Sequence, residues 1–210
     1  MFNTHEEWAD EYKKFPAVAS LVQELRQSLP EKHTSVNVEN FLKTLKDSPK
    51  LHRNNQFRQI PLYLQHYFYG VSTHYCKWPA NYITLIDKIF DLDLSKVVFV
   101  TTNYDLLFDQ ALELSPATDF PVASTAPNKY IKNKDWAYIK IHGSVDWGRS
   151  IKESMIKNRG NTLSALLDNV IQLGAQLDEA LEQEISIDKS FTNESDRKLI
   201  YPAISVPIGE

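Results

Sequence analysis

The sequence predicts an α/β protein built on a parallel sheet, with extra helices in its N-terminal part. Residues 97–100 form an apolar, β-branched run that small polar residues end abruptly, and a helix-like segment follows. Such a run is typical of a strand that is buried on both faces of a parallel sheet. A second short apolar strand is predicted at residues 138–142, and a glycine follows it. Polar side chains at the carboxyl ends of such strands lie where open α/β sheets bind ligands.

Composition narrows the class of protein. The 210 residues fit one domain, which we divide into a helical part, residues 1–95, and a sheet part, residues 96–210, that carries the predicted site. A net charge of −4 gives no electrostatic reason to expect nucleic-acid binding. The single cysteine excludes an internal disulfide and a four-cysteine zinc module. The sequence contains neither a membrane-span pattern nor a signal-peptide pattern, so the cytoplasm is the predicted compartment.

Helices are predicted to fill the segment before the first strand. Thr4 and Glu7 have the spacing of a capping box, which predicts a helix over residues 5–14. Pro16 separates this helix from a second one, in which apolar residues recur at helical spacing. Pro30 is expected to end the second helix.

Three further helices are predicted before residue 97. Asn37 is expected to cap the first of them. A long, largely buried helix is predicted over residues 57–75, where Pro61 is compatible only with the first turn. The last of the three has an apolar face made of Tyr82, Leu85, Ile86 and Ile89.

The sheet part alternates short helices, strands and loops. A short helix is predicted over residues 106–112, and a short strand over 120–123 lies inside the proline-rich loop 116–136. Asn161 is predicted to cap a helix that has leucines along one face.

The C-terminal part is predicted to hold one strand. The stretch 186–197 is polar and is predicted to be a loop, whereas residues 198–206 have the composition of a strand. Because proline cannot donate to a strand ladder, Pro202 predicts a sheet edge or a β-bulge at that position.

The polar residues at the two strand ends are the candidate site, and their chemistry suits cleavage of a glycosidic bond. They are Thr101, Thr102, Asn103, Asp105, His142 and Gly143. Asn103 offers both a donor and acceptors for an amide or a water. His142 can accept a proton near neutral pH, and an ionised Asp105 can offset developing positive charge.

The segments Val-Phe-Val-Thr-Thr-Asn-Tyr-Asp at 98–105 and Ile-Lys-Ile-His-Gly at 139–143 resemble the SIR2-like domains of bacterial antiphage defence systems. In that family one strand ends in Thr-x-Asn-x-Asp and a later one ends in His-Gly. The resemblance implies a Rossmann-like sheet and hydrolysis of NAD, the substrate, to ADP-ribose and nicotinamide, with no metal. It implies that Asn103 and His142 are catalytic and that Thr101, Thr102, Asp105 and Gly143 contact NAD.

The resemblance also sets expectations for partners and for missing elements. A defence effector implies a partner protein or a further domain, and the chain itself is a candidate for homo-oligomer formation. The family begins with a strand and a Gly-Ala-Gly turn that holds the pyrophosphate, and none of the six glycines here lies in such a turn. We therefore expect this chain to lack the first strand and the Gly-rich loop. The paired CxxC motifs of classical sirtuins are absent, which counts against deacylation.

Other interpretations of the same residues stay open at this point. Asn103 and Asp105 are also the residue types that cap a helix after a strand, and a lone histidine is often structural. Three interpretations of the whole chain remain. It is an NAD-hydrolysing enzyme, or a non-catalytic module for binding NAD or ADP-ribose or for assembly. The third interpretation is an inactive fragment of such an enzyme. Measuring the products formed from NAD separates these interpretations.

Overall fold

The computed structural model describes seven parts of the chain. They are residues 13–28, 35–75, 78–118, 135–187, 192–193, 198–206 and 208. Nearly all of the predicted helix over residues 5–14, and all of the predicted strand over residues 120–123, lie outside these ranges.

Four of the five helices that the sequence predicts before residue 97 lie in the described ranges. They are α1 (Pro16–Ser28), α2 (Ser35–Lys46), α3 (Leu51–Gly70, which continues as a π-helical turn, Val71–Tyr75) and α4 (Ala80–Phe90). The first three pack around a shared core that contains Phe15, Leu45 and Leu62. No helix in the described ranges is long and apolar enough to cross a membrane.

Two predictions about these helices are wrong. α2 begins at Ser35, so Asn37 lies inside the helix and does not cap it. α3 begins at Leu51, so Pro61 lies in the helix interior and not in the first turn. Burial explains why the helix continues, because Pro61 lies in the core next to the fully buried Leu62. The Tyr201 hydroxyl donates to the Arg58 carbonyl, 2.8 Å away, in the turn that precedes the proline.

The described strands form two sheets. Strands β1 (Val97–Thr101) and β2 (Trp136–Lys140) are parallel, and α5 (Leu107–Leu114) connects to β1 through a short turn. A four-stranded antiparallel sheet has the order β4, β3, β6, β5. Its strands are β3 (Gly143–Ser150), β4 (Ser186–Ile187), β5 (Thr192–Asn193) and β6 (Lys198–Ile204). Helices combined with a parallel pair fit the predicted α/β, Rossmann-like class with N-terminal helices.

The antiparallel sheet corrects part of the sequence prediction. The stretch 186–197 was predicted to be a loop, but it contributes β4 and β5. These strands are only two residues long. β4 pairs with β3, which is distant in the sequence, whereas β5 pairs with β6, the next strand along the chain. The β3–β6 register shifts between the pairs Gly143–Ile204 and Gly148–Pro202, so the ladder is irregular next to Pro202.

The helix whose predicted cap is Asn161 begins one residue later than that cap implies. Thr162, not Asn161, is its cap, and the Thr162 side chain accepts a hydrogen bond from the Ala165 amide. The helix α6 (Leu163–Leu173) ends at Gly174, which has a φ of +51°. A 3₁₀ turn and the short helix α7 (Leu177–Ala180) follow.

One face of the parallel pair is exposed, so the prediction that the first strand is buried on both faces is wrong. Val98 is 50% exposed and Val100 is 58% exposed, while Ile139 on the neighbouring strand and Ile141 directly after it are 41% and 57% exposed. The opposite face packs on α4 and α5. Within the described ranges nothing covers the exposed face, and β1 pairs only with β2.

Because apolar sheet faces and uncharged edges favour association, we expect the isolated chain to self-associate as its concentration rises. Val100→Lys should reduce this association, since a lysine on an edge strand opposes strand pairing. Light scattering over a concentration series measures the effect. Ile171→Lys is the matched control, because Ile171 is also exposed but lies on α6. Equal effects of the two variants would contradict a role for the sheet face.

Candidate active site

The parallel register of β1 and β2 determines where the two motifs lie. Thr101 pairs with Lys140, and the Ile141 amide donates to the Thr101 carbonyl over 3.0 Å. Asn103 is the second residue after Thr101, and His142 is the second residue after Lys140. Because the strands run in the same direction, the structure brings both residues to the same edge of the sheet. Asn103 is exposed there, and His142 is half-buried.

The His142 ring lies against Tyr104, with ring centroids 6.1 Å apart. The His142 carbonyl accepts a hydrogen bond from the Ser205 amide at 2.9 Å, which fixes the backbone of the turn. No described group forms a hydrogen bond with the imidazole, so its nitrogens are available to a water or a substrate hydroxyl. His142 lies in the turn between β2 and β3, two residues beyond the observed end of the strand that the sequence predicted to reach it.

Sequence reasoning missed Tyr104, although it lies between Asn103 and Asp105. Its hydroxyl donates to the Ser205 carbonyl at 2.8 Å, and its own carbonyl accepts from the Val145 amide at 3.0 Å. Burial raises the pKa of the Tyr104 phenol, so the side chain stays neutral at physiological pH. Tyr104 therefore ties the loop after β1 to the segments after β2 and β6.

The other predicted residues of the first motif differ in their hydrogen bonds and in their exposure. The Thr101 hydroxyl accepts a hydrogen bond from the Asn103 amide at 3.0 Å, and Thr102 is exposed. The Asp105 Oδ1 atom accepts from the Leu107 amide at 3.0 Å. Asp105 thus binds the first amide of α5 with one of its two carboxylate oxygens, but the capping position is Leu106, so the alternative interpretation of Asp105 as the helix cap is wrong. The Asn103 side chain forms no such cap among the described residues.

Gly143 has a backbone conformation that explains why glycine occupies this position. Its φ is +84°, and a Cβ atom built there would collide with the carbonyl oxygen of Ala203 on β6. Only a residue without a side chain lets β3 begin this close to β6 directly after His142. This constraint is structural, and contact between Gly143 and NAD stays a prediction.

Gly143→Ala is expected to lower the free energy of unfolding by about 2–4 kcal/mol, because positive φ and a backbone collision act together. Urea denaturation measures the loss. Gly174→Ala is the control, since Gly174 also has positive φ but a Cβ there would meet only a side-chain atom of Leu51, 3.9 Å away. A loss for Gly143→Ala no larger than that for the control would rule out the collision.

A buried charged network lies directly beneath the loop after β1. The Lys140 ammonium is 2.9 Å from Asp109 Oδ2, and their side chains are 0% and 8% exposed. The Tyr138 hydroxyl donates to the same carboxylate oxygen at 3.3 Å. Burial first, and then the charge of Asp109, raises the pKa of the Tyr138 phenol, which keeps the hydroxyl protonated as a donor. Sequence reasoning missed this network, although a lysine within an apolar strand was a usable signal.

The described ranges contain no group of three or more His, Cys, Asp or Glu residues that could hold a metal ion. The predicted residues at this edge of the sheet supply an amide, an imidazole, hydroxyls and a carboxylate. This set can bind a polar substrate and move a proton.

One of three comparisons with known proteins finds the same family that the two motifs indicate. Residues 97–187 match the family model of the SIR2-like domain. The matched range begins with β1 and ends with β4, and it includes both strand-end motifs. No curated protein matches the sequence, and no solved structure matches it either. The similarity to SIR2-like domains that the motifs predict is thus confirmed over residues 97–187.

Proposed function

We propose that the SIR2-like domain of this chain hydrolyses NAD to ADP-ribose and nicotinamide at the edge formed by Asn103 and His142. The observation that carries the proposal is the parallel pairing of β1 and β2, because it brings the ends of both motifs to one place. The match to the SIR2-like domain over residues 97–187 supports NAD as the substrate.

The available side chains fit the chemistry of this reaction. The bond between nicotinamide and ribose breaks through an oxocarbenium-like state, and the oxygen of a water molecule then bonds to the same ribose carbon. Nicotinamide leaves with the bonding electron pair and is neutral. Asn103, exposed at the edge, holds the carboxamide or the attacking water. His142 accepts the proton that the water loses and passes it to solvent.

Asp105 contributes electrostatically in this proposal. Its Oδ1 atom is engaged with the Leu107 amide, which orients the carboxylate close to the loop that carries Asn103. A carboxylate held in this way favours the positive charge that develops on the ribose. Thr101, Thr102 and Gly143 lie at the same edge and are the proposed contacts for the rest of the nicotinamide riboside.

We also propose the biological role that the resemblance implies. Depletion of NAD would make the chain an effector of antiphage defence, with a partner protein or a further domain that controls it. Expression in bacteria tests this role, because cellular NAD should fall with the wild-type chain and not with a His142→Ala variant.

The direct test is incubation of the purified chain with NAD, followed by chromatography of the products. Equal amounts of nicotinamide and ADP-ribose are expected. Binding is expected to be weak, because none of the six glycines lies in a loop of the pyrophosphate-binding type. The assay therefore needs NAD at high concentration, and calorimetry gives the affinity separately from turnover.

A second candidate function is binding without cleavage, in an assembly module. The exposed apolar face of β1 and β2 favours it, because such a face suits contact with another protein. Calorimetry with ADP-ribose and with NAD distinguishes the two functions. Binding of either nucleotide with no product formed would support the binding module and contradict the hydrolase.

A further inference from the structure

Lys140 is a buried lysine whose contacts point toward the candidate site. It is the last residue of β2, and its side chain is fully buried. The ammonium donates to Asp109 Oδ2 at 2.9 Å and to the backbone carbonyl of Asp105 at 2.7 Å. The first contact compensates the buried charge. The second contact links the end of β2 to the loop that follows β1.

This second contact completes a set of bonds around Asn103. On the N-terminal side, the Asn103 amide donates to the Thr101 hydroxyl. On the C-terminal side, the Tyr104 carbonyl accepts from the Val145 amide, and the Asp105 carbonyl accepts from Lys140. The backbone is therefore fixed on both sides of Asn103, while the Asn103 side chain remains exposed.

We propose that Lys140 is a positioning residue that holds the Asn103–Asp105 loop in register with His142, a role that rests on the proposed function. A buried ammonium must have its hydrogen bonds satisfied, so the Asp105 carbonyl cannot move away without leaving a charged donor unpaired. The stem of Lys140 belongs to β2, the strand that leads to His142. One side chain thus couples the positions of Asn103 and His142.

If Lys140 only stabilised the fold through its ion pair with Asp109, its loss would not affect the loop once stability is restored. A double variant that removes both charges distinguishes this stabilising role from the positioning role. Lys140→Met alone removes the buried cation that lies 2.9 Å from the Asp109 carboxylate. Lys140→Met combined with Asp109→Asn removes both charges, so most of the lost stability should return. The contact with the Asp105 carbonyl is absent from both variants.

We expect kcat for NAD cleavage to fall about 10- to 100-fold in both variants, with a smaller change in KM, because misplacement of a catalytic group by about 1 Å has effects of this size. We also expect amide hydrogen exchange at Asn103 and Leu107 to be faster than in the wild type. If the double variant regains stability together with wild-type kcat, or keeps wild-type exchange at these amides, the proposal is overturned.

The matched control is Lys152→Met. The Lys152 ammonium also donates to a backbone carbonyl, that of Glu179 at 2.6 Å, but it lies away from the two strand ends. It should change neither kcat nor exchange at Asn103. If the wild-type chain cleaves no NAD, the proposed function fails, and the exchange measurement still decides whether Lys140 orders the loop.

Discussion

Replacing His142 with alanine is expected to lower kcat for NAD cleavage by about 10²- to 10⁴-fold, the usual contribution of a general base. The fold should remain intact. His142 is half-buried in a turn, and no described group forms a hydrogen bond with its imidazole, so little stability depends on that side chain. We expect a shift of melting temperature within about 2 °C, which corresponds to a loss of about 0.5 kcal/mol. Product chromatography and thermal denaturation measure the two quantities.

The control for this variant is His66→Ala. His66 is also a half-buried histidine that packs on an aromatic ring, that of Phe15, with ring centroids 5.6 Å apart. It belongs to α3, in the helical part of the chain, so its removal should leave NAD cleavage unchanged. A large drop in melting temperature for His142→Ala, with proportional loss of activity, would make His142 a structural residue.

Asn103→Ala tests the other strand end in the same assay. A loss of comparable size is expected, because the side chain is exposed and its removal breaks no described bond of the fold. The backbone amide of residue 103 still donates to the Thr101 hydroxyl in this variant. Unchanged activity for Asn103→Ala, combined with inactive His142→Ala, would restrict the site to the second motif.

The sequence predicts the strands that precede the two motifs because their signals are local, although β2 ends two residues before the predicted position. An apolar run that stops at polar residues identifies β1 and β2 without knowledge of the rest of the chain. It does not identify what covers the strands. Val98 and Val100 are residue types typical of a strand that is buried on both faces, yet both side chains are exposed in the structure. Burial of a sheet face depends on other elements that local sequence does not specify.

Features that lie outside the local sequence explain the other differences between prediction and structure. β3 alternates polar and apolar residues directly after His142, and it is stabilised by β6, about 50 residues later in the sequence. Pro61 lies inside α3 because packing around Leu62 outweighs the local cost of proline. Asn37 has the residue type of a cap but not the position, since the helix begins earlier.

The burial of Lys140 at the candidate site also could not be predicted from the local sequence. Within the segment Ile-Lys-Ile-His-Gly it could equally have been an exposed residue of an alternating strand. The direction of its side chain follows from the register with β1 and from the position of Asp109 on α5. The charge partner lies 31 residues earlier in the chain, so no local pattern connects the two.

Asp109→Ala is expected to lower the free energy of unfolding by about 3–5 kcal/mol, because it leaves the fully buried Lys140 ammonium without its counter-charge. It also removes the acceptor of the Tyr138 hydroxyl. Urea denaturation measures the loss. Addition of Lys140→Met to this variant should recover part of the stability, since neither charge of the Lys140–Asp109 pair then remains.

A partly exposed ion pair provides a comparison that tests whether burial causes this loss. Arg53 contacts both carboxylate oxygens of Glu24 at 2.6 Å, a shorter and more complete contact than that of Lys140 with Asp109. Glu24 is nevertheless 42% exposed. Water solvates the partner that remains after Glu24→Ala, so the expected loss is only about 0.2–1 kcal/mol. If Asp109→Ala costs no more than Glu24→Ala, then water reaches Lys140 and the network beneath the site is not sealed from solvent.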